Sequence, residues 1–368
     1  MAKDVSVPFD TMERFMVDVF MGVGVPEAEA RICAENLITA DKRGIDSHGV
    51  NRLKPIYYDR IIDGIQNPIT QFEIVREGPT TAVVDGHDGM GHVIGKRAMQ
   101  MAIDKAEDYG LGMVVVRNST HYGIAGYYAT MATDNNMIGI TGTNARPSIA
   151  PTFGVENMLG TNPLTFGMPS DEEFPFVLDC ATSITQRGKV EIYDKLDKDM
   201  PAGWVIGQDG GTKTNPHEVL KELIAGTAAL TPLGGIGEET AGYKGYGYAT
   251  VVEILSAALQ QGSFLKMLNG FDANKNKIPY HLGHFFIAIN VEAFCDIADF
   301  KKTTGDILRD LRASKKAPGY DRIFTAGEKE YYTYLERKPT GVPINEQSQK
   351  EIKQLIADLK LTGYDFPF

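Results

Sequence analysis

A histidine and an arginine stand four residues apart in the short run Asp46 to Arg52, and such a pair is able to bind and deprotonate a hydroxy acid. The apolar spacing that follows the run predicts a helix, so that His48 and Arg52 share one face at its start. The guanidinium can hold a carboxylate through two hydrogen bonds while the imidazole moves a proton. On this run alone, a helix cap formed by Asp46 and Ser47 beside an incidental histidine is the simpler interpretation.

A second histidine, His121, lies in the run Ser119 to Tyr128. The continuous apolar run Met113 to Val116 before it is typical of a buried strand, so residues 119–123 are predicted to form a strand-to-helix turn that faces a cleft. Small residues such as Gly123 allow the backbone to come close to a cofactor or to a packed neighbour. Taken alone, packing is the simpler interpretation.

The composition is that of a globular protein with two or three domains. The chain has 368 residues, of which 43% are hydrophobic and 23% charged, which argues against disordered and fibrous classes. Its formal net charge of −11 argues against binding to nucleic acid. An acidic protein that binds an acid must concentrate positive charge locally, which draws attention to Arg52, Arg187, Lys189 and Lys244.

The cysteines and the N-terminal segment indicate a cytoplasmic protein. Cys33, Cys180 and Cys295 lie far apart and form neither a CxxC pair nor an even disulfide framework, as expected in a reducing compartment. The segment Met1–Ser6 contains no apolar signal region, and no stretch approaches about 18 uninterrupted apolar residues. We therefore expect no interaction with a membrane.

The order of apolar runs and turns predicts an α/β fold, with a mixed sheet flanked by helices. Helical periodicity fills the first 65 residues and returns near 299–313 and 345–360. Strand-like runs begin near Phe72 and recur at 111–116, 138–143, 174–179 and 283–290. We expect residues 1–71 together with 300–368 to form a helical domain, and residues 72–299 to form a sheet domain with a loop and helix excursion near 209–265.

Two motifs with familiar spacing are not expected to be sites. Gly89 to Gly95 opens a helix after a strand, but its GxGxxxG spacing is one residue longer than the dinucleotide fingerprint, and no acid follows the next strand. His281 and His284 form an HxxH pair at the start of a predicted strand, where residues three apart point to opposite faces. We expect no metal site there.

Six segments, in order, resemble the signatures of the type-2 malate/L-lactate dehydrogenase family. They are the two histidine runs, Gly160-Thr161-Asn162-Pro163, Leu178 to Ser183, Gly188-Lys189 and Gly242 to Gly247. Six ordered motifs are far more specific than any one of them, and the resemblance extends from about Asp46 to Glu328. It implies a non-Rossmann fold in which the helical domain binds substrate and forms a homodimer, while the sheet domain binds NAD or NADP.

The resemblance also implies which residues line the nicotinamide nucleotide. They are His121, Tyr122, Gly123, Ile124, Ala125, Asp179, Cys180, Ala181, Thr182, Ser183, Lys244, Gly245, Gly327, Glu328 and Lys329. Backbone N–H groups in the glycine turns can bind a pyrophosphate, Lys244 can neutralise it, and Asp179 at a strand end can bind a sugar hydroxyl. Without the family context, a tight turn or a surface lysine explains each of these features.

The reaction that the resemblance implies is the NAD(P)-dependent oxidation of a 2-hydroxy carboxylate, with malate and oxaloacetate as the expected pair. His48 then takes the hydroxyl proton, Ser47 orients its ring and Arg52 anchors the carboxylate. Members of the family have been assigned either histidine as the base. His121 is therefore the alternative, and the sequence does not decide between them.

Malate is preferred over lactate because a second carboxylate needs a second cation. Arg187 and Lys189 are available for it near the expected nicotinamide pocket, and the resemblance adds Thr161 to the substrate residues. Lactate, sulfolactate and ureidoglycolate stay open as substrates. A cyclic imine reductase of the same fold is disfavoured because Lys189 stands where that branch has an acid. A nucleotide-binding protein without turnover is disfavoured by the complete histidine and arginine run.

Overall fold

The computed structural model describes residues 5–368, so the expectation for Met1–Asp4 lies outside the described residues. The helices are α1 (Phe9–Gly22), α2 (Glu27–Lys42), α3 (Asp59–Ile62), α4 (Gly91–Tyr109), α5 (Ala125–Asp134), α6 (Arg187–Lys195), α7 (Pro216–Ala225), α8 (Gly242–Ala257), α9 (Ile297–Ala313), α10 (Glu328–Arg337) and α11 (Glu346–Leu359). From residue 5 onward, none of them is both long and apolar enough to span a membrane.

Eleven strands accompany these helices in residues 5–368. They are β1 (Val5–Val7), β2 (Glu73–Glu77), β3 (Thr81–Asp85), β4 (Leu111–Ser119), β5 (Met137–Thr143), β6 (Leu164–Met168), β7 (Phe176–Cys180), β8 (Val205–Gly207), β9 (Ala228–Leu230), β10 (Leu282–Asn290) and β11 (Val342–Ile344). Seven of them form one sheet in the order β2-β3-β4-β10-β5-β6-β7, and β1-β11 and β8-β9 form two small sheets.

The large sheet is mixed, as the sequence predicts. β3 and β4 run parallel and are connected by α4, whereas the other neighbouring pairs in this sheet are antiparallel. The four apolar runs are confirmed as β4, β5, β7 and β10. β10 lies between β4 and β5, with Phe285 opposite both Val115 and Gly142, so a strand that comes late in the chain occupies the centre of the sheet.

The helical layer is closed by the C-terminal part of the chain. α1 and α2 share a buried core with β11 and α11. The ring of Phe15 on α1 packs edge to face against Tyr364 and Phe366, with centroids 5.2 and 5.3 Å apart. α9 is attached elsewhere, because Arg309 donates to Asp171 in the loop between β6 and β7, with a separation of 2.9 Å. The division into two domains stays a prediction.

The segment after His48 is not the regular α-helix that its apolar spacing predicts. Val50–Arg52 forms a 3-10 turn, Leu53–Tyr58 a π-helical turn and Asp59–Ile62 a single α-helical turn. Pro55 lies inside this segment and has no N–H to donate, which disfavours a continuous α-helix. The expectation that His48 and Arg52 share a helix face is therefore wrong, because His48 precedes the first helical residue.

The glycine-rich turn between β3 and α4 is filled by protein atoms. The N–H of Gly91 donates to the hydroxyl of Thr120 at 3.0 Å, and a Cβ at Gly91 would lie 2.4 Å from the carbonyl oxygen of Thr120. The N-terminus of α4 is thus packed against the turn after β4. The segment β3-α4-β4 forms a βαβ unit, but its glycines serve close packing of the backbone.

The two histidines of the HxxH pair have separate partners. Nδ1 of His281 lies 2.9 Å from the carboxylate of Asp88, and Nδ1 of His284 lies 2.8 Å from the hydroxyl of Thr143. Across residues 5–368 no group of three or more His, Cys, Asp or Glu side chains is arranged to hold a metal ion.

Candidate active site

A buried carboxylate at the end of α2 holds the loop that carries His48. Oδ2 of Asp41 accepts a hydrogen bond of 2.9 Å from the N–H of Val50. The loop passes so close that a Cβ at Gly49 would lie 1.8 Å from Oδ1 of Asp41. From the other side Arg337 of α10 donates to both carboxylate oxygens of Asp46 and to the carbonyl oxygen of Asp41. Two distant helices therefore fix this loop.

The two candidate histidines meet at the end of this loop. His121 lies in the turn between β4 and α5, where the sequence predicts it. Its ring and that of His48 are nearly parallel, with centroids 5.7 Å apart and an angle of 22° between their planes. The hydroxyl of Ser47 lies 2.9 Å from Nδ1 of His48. The structure thus brings both histidines and Ser47 into one cluster.

Tyr57 also belongs to this cluster, although the sequence predicts it only as one of the apolar positions of a helix. Its hydroxyl lies 2.6 Å from Nδ1 of His121, and the N–H of Gly123 donates to the same nitrogen at 3.3 Å. Because a backbone N–H points at Nδ1, this nitrogen is the acceptor, and the neutral ring carries its proton on Nε2. On its other side Tyr57 packs against the buried ring of His92, with centroids 4.6 Å apart.

Burial keeps both imidazoles of the cluster neutral. It lowers the pKa of His48 to about 4, and the positive charge of Arg52 acts in the same direction. Burial also lowers the pKa of His121 well below its ordinary value, and His48 and Arg60 add to this effect. At neutral pH each ring therefore offers one acceptor nitrogen and one N–H group.

The cluster is flanked by arginines rather than by carboxylates. Arg52 is half-buried and donates from Nε to the carbonyl oxygen of Ser47. Arg60 is also half-buried, and its guanidinium lies over the ring of Tyr280, 4.5 Å from the centroid. Within residues 5–368 no carboxylate oxygen lies within 4.0 Å of either guanidinium. Arg60 stands eight residues after Arg52 and was not predicted from the sequence as a site residue.

The other predicted substrate cations do not join the cluster. Arg187 and Lys189 are exposed on α6, and Arg187 forms an ion pair of 3.1 Å with Glu191 one turn later. Thr161 lies beside the predicted cofactor residues, because its carbonyl oxygen accepts a hydrogen bond of 3.0 Å from the N–H of Thr182. A single surface ion pair explains the position of Arg187.

Asp179 links the His121 turn to the edge strand β7. Its Oδ2 accepts a hydrogen bond of 2.6 Å from the N–H of Gly126, the second residue of α5, and its Oδ1 accepts from the hydroxyl of Thr165 at 3.1 Å. Burial raises the pKa of Asp179. The carboxylate therefore caps α5, a helix that begins 54 positions earlier in the chain, rather than the turn that follows it.

The turn after β7 packs against the glycine-rich entry to α8. The N–H of Leu233 donates to the carbonyl oxygen of Thr182 at 2.8 Å, and a Cβ at Gly245 would lie 2.2 Å from the carbonyl oxygen of Leu233. Ser183 pairs with Pro232 in the same turn. Lys244 is exposed, and none of the carboxylates in the described residues pairs with it. Two segments predicted to bind the nucleotide are thus adjacent.

A separate cavity of about 330 Å³ lies between β7, α2, α5 and α10. It is lined by Arg43, Gly126, Asp179, Gly327 and Tyr331, among others. The backbone of Gly327 is left-handed, with φ of 90°, and a Cβ there would lie 2.7 Å from the carbonyl oxygen of Pro175. The predicted glycine is therefore required by the close approach of the two segments.

The remaining predicted cofactor side chains have structural roles or face solvent. Glu328 is buried and accepts from the N–H of Thr325 at 2.9 Å and from Arg322. Lys329 is exposed, with Nζ over the ring of Phe324.

Nearer to His121, Tyr122 is buried in a stack on His284, with centroids 4.5 Å apart. The side chains of Ile124 and Ala125 belong to the core, so only their backbone can face a ligand. Cys180 is exposed and Ala181 half-buried.

The chain matches known proteins over nearly its whole length. The model of the family described as malate/L-lactate dehydrogenase matches residues 7–353. A malate dehydrogenase of Pyrococcus horikoshii is 42% identical over 98% of this chain and 97% of its own. An L-sulfolactate dehydrogenase of Methanocaldococcus jannaschii is 37% identical over 96% of this chain and 97% of its own. The crystal structure of a malate dehydrogenase from Entamoeba histolytica superimposes with a TM-score of 0.94 and 46% identity, covering all of both chains.

The contact between Gly49 and Asp41 predicts that replacing glycine by alanine destabilises the protein at position 49 but not at position 247, where the Cβ position is open. Gly49→Ala places a methyl group where Oδ1 of Asp41 now lies, so we expect it to lower the free energy of unfolding by about 1–3 kcal/mol. Gly247→Ala is the matched control, because nothing lies within 4 Å of its Cβ position on α8. It should stabilise the protein by about 0.5–1 kcal/mol. Thermal unfolding of both variants measures the two effects, and equal melting temperatures would contradict the proposed role of the contact.

Proposed function

Since the chain belongs to the malate/L-lactate dehydrogenase family, we propose that it oxidises malate to oxaloacetate with NAD or NADP and catalyses the reverse reduction. That it is a hydroxy acid dehydrogenase follows from its relatives. The observation that carries the proposal is the pair of neutral imidazoles, His48 and His121, beside the unpaired guanidinium of Arg52. Such a site binds a carboxylate and accepts a proton from the neighbouring hydroxyl.

In the oxidative direction His48 acts as the general base. If its Nδ1–H donates to the hydroxyl of Ser47, the lone pair of Nε2 is free to take the proton of the substrate hydroxyl. The O–H bond breaks, a C=O bond forms, and the hydrogen on C2 leaves with its electron pair. Arg52 holds the substrate carboxylate, which fixes the hydroxyl against the imidazole.

His121 has a different part in the same step. Tyr57 and Gly123 contact its Nδ1, so its proton is on Nε2, and it can donate a hydrogen bond to the substrate oxygen as charge develops there. The tautomer of His121 follows from its hydrogen-bond partners, and the proton of His48 is assigned to Nδ1 because the hydroxyl of Ser47 is able to accept it. It favours His48 over His121 as the base.

The nicotinamide, when bound, supplies the acceptor of the hydride. The residues along β7 and at the entry to α8 suit such a nucleotide. Among residues 5–368, Lys244 has no carboxylate partner and the buried hydroxyl of Thr185 has no hydrogen-bond partner, and the N-terminus of α8 offers backbone N–H groups. We assign the pyrophosphate to Lys244 and a sugar hydroxyl to Asp179.

Sulfolactate is the second candidate substrate. The relative from Methanocaldococcus jannaschii, 37% identical, is named for this activity. A steady-state assay of oxaloacetate, sulfopyruvate and pyruvate with NADH and with NADPH decides between the candidates. Reduction of none of these oxo acids with either cofactor would refute the proposed function.

We also propose a homodimer, but with a different surface from the one the sequence suggests. The apolar faces of α1 and α2 are covered by the C-terminal segment of the same chain. α8 presents Tyr248, Val251 and Ile254 to solvent, each about half exposed, in addition to its buried face. Such a surface suits a second copy of the chain, and light scattering that gives the mass of a monomer would refute the dimer.

Loss of the imidazole at position 48 tests the assignment of the base. We expect His48→Ala to lower kcat by about 10²-fold or more, because general base catalysis is lost, and to leave the KM for the cofactor nearly unchanged. His92→Ala is not a suitable control because its ring is buried in the core. His217→Ala is suitable, since this exposed residue lies on α7. Full activity of His48→Ala together with an inactive His121→Ala would transfer the role of base to His121.

The low pKa of His48 predicts the pH dependence of the oxidation. A base must be unprotonated, and the neutral form of His48 persists down to about pH 4 in the free protein. kcat/KM for the hydroxy acid should therefore stay level as the pH falls through 6.5, where an ordinary histidine would become protonated. A pH profile that falls with a midpoint near 6.5 would contradict this electrostatic picture.

Asp179 should affect both stability and cofactor binding. Asp179→Ala removes the acceptor for the Gly126 N–H and should lower the free energy of unfolding by about 1 kcal/mol. If the carboxylate also binds a sugar hydroxyl, the KM for NAD(H) or NADP(H) should rise roughly tenfold. Asp179→Asn is the matched control, because its amide oxygen can still cap α5 while the charge is lost. A melting temperature that falls with an unaltered cofactor KM would leave only the structural role.

A further inference from the structure

Arg60 is a second cation at the candidate site that has no counter-ion. Its guanidinium stacks on the ring of Tyr280 at 4.5 Å, which holds it in one orientation. Several other half-buried arginines are paired, as Arg312 is with Glu172 at 2.6 Å and Arg117 with Asp85 at 2.8 Å, whereas Arg43 donates to the hydroxyl of Thr130. No carboxylate oxygen in the described residues lies within 4.0 Å of Arg60. A half-buried cation without a counter-ion is able to bind an anion from outside the chain.

Arg60 lies near the reacting groups, because its charge acts on both Tyr57 and His121. Tyr57 and Arg60 are three residues apart in a helical segment and are therefore neighbours on its surface. Tyr57 in turn lies 2.6 Å from the ring of His121. Burial raises the pKa of Tyr57, and the charges of Arg60 and Arg52 lower it. For His121, burial and the same two charges all lower the pKa. Two cations thus flank one imidazole.

Arg146 extends the positive region. It belongs to the loop after β5 and is exposed. Burial is the main cause that lowers the pKa of Arg60, and the charges of Arg146 and, to a smaller extent, Arg52 lower it further. Three arginines from two parts of the chain therefore repel one another, and Tyr280 packs against one of them, Arg60. A bound anion would offset this repulsion.

We propose that Arg60 binds a second acidic group of the substrate while Arg52 binds the carboxylate next to the reacting carbon. This assignment rests on the proposed function and makes the enzyme selective for 2-oxo and 2-hydroxy acids with a distal carboxylate or sulfonate. It replaces Arg187 and Lys189 in that role, because both are exposed on α6 and Arg187 is paired with Glu191.

The first test compares dianionic and monoanionic substrates. In Arg60→Gln, kcat/KM for oxaloacetate and for sulfopyruvate should fall roughly 10- to 100-fold, the loss expected for one charge-assisted hydrogen-bonded contact, while kcat/KM for pyruvate changes less than about threefold. Arg31→Gln is the matched control, because Arg31 is exposed and paired with Glu27, and it should leave all three values unchanged. A larger loss of kcat/KM for oxaloacetate indicates that Arg60 binds a carboxylate, and a larger loss for sulfopyruvate indicates that it binds a sulfonate. An equal loss for all three substrates, or no loss for any, overturns the proposal.

The variant Arg60→Lys distinguishes a loss of substrate binding from a loss of folding. It keeps the charge but loses the planar pair of donors, so kcat/KM for oxaloacetate should fall less than in Arg60→Gln. If Arg60→Gln does not fold, as judged by its thermal unfolding, Arg60→Lys carries the comparison, and a pyruvate value that falls with the oxaloacetate value overturns the proposal.

The second test measures binding without turnover. Calorimetric titration of the protein and its reduced cofactor with malate or lactate forms complexes that cannot transfer hydride, since both partners are already reduced. Malate should bind the unaltered protein at least tenfold more tightly than lactate, and Arg60→Gln should remove the difference. If malate binds more tightly than lactate and Arg60→Gln removes the difference, but the protein reduces none of the oxo acids, the proposed function is refuted and the anion site at Arg60 is supported. Equal affinities for malate and lactate in the unaltered protein would overturn the site itself.

Discussion

The hydrogen bond from Val50 to the buried carboxylate of Asp41 is the interaction on which the candidate site depends. The loop that carries His48 has no helix of its own, and the segment that follows it is broken into 3-10, π and α turns around Pro55. Its position is therefore set from outside, by Asp41 of α2 and by Arg337 of α10. Burial raises the pKa of Asp41 well above its ordinary value, and a buried polar group that loses its hydrogen-bond partner destabilises the fold. The position of the loop therefore depends on these two contacts.

The electrostatics of the site come from an uneven distribution of charge. The histidines His48, His92 and His121 are all neutral because burial disfavours their charged forms. The fixed charge of the site is therefore that of Arg52 and Arg60, in a protein whose net charge is −11. An anion is drawn to this position because the rest of the surface repels it. Once bound, the anion opposes the effect of the arginines on the two imidazoles and makes them better bases.

The sequence predicts local structure well where apolar runs are long. β4, β5, β7, β10 and the first two helices lie where their patterns place them, and all of them except the edge strand β7 bury apolar side chains in the core. The insertion of β10 between β4 and β5 could not be predicted, since strand order depends on contacts far apart in the chain. The helix expected after His48 failed for a local reason, the missing N–H of Pro55. The resemblance supplied the residues of the site, and the structure adds what each of them contacts.

Side chains whose partners lie far away in the sequence were the hardest to assign. Asp179 caps a helix that precedes it by about 50 residues, and Arg60 stacks on Tyr280 across more than 200 positions. Neither relation leaves a signal in local composition. Arg187 and Lys189 were chosen because they follow a family motif, but exposure and the ion pair with Glu191 separate them from the imidazoles. A free cation can be recognised only when every possible partner has been located in three dimensions.

The aromatic contacts that close the helical layer also constrain how the chain is made. Tyr364 donates to Asp18 of α1 across 346 positions, and Phe366 covers Phe15. At a synthesis rate of about 5–20 residues per second, α1 leaves the ribosome roughly 17–70 seconds before these rings do. During that interval α1 lacks the cover of these C-terminal rings, although α2 and Tyr57 already follow it in the chain. The nascent chain therefore carries part of the apolar face of α1 uncovered through most of its translation, which is the kind of surface that chaperones shield.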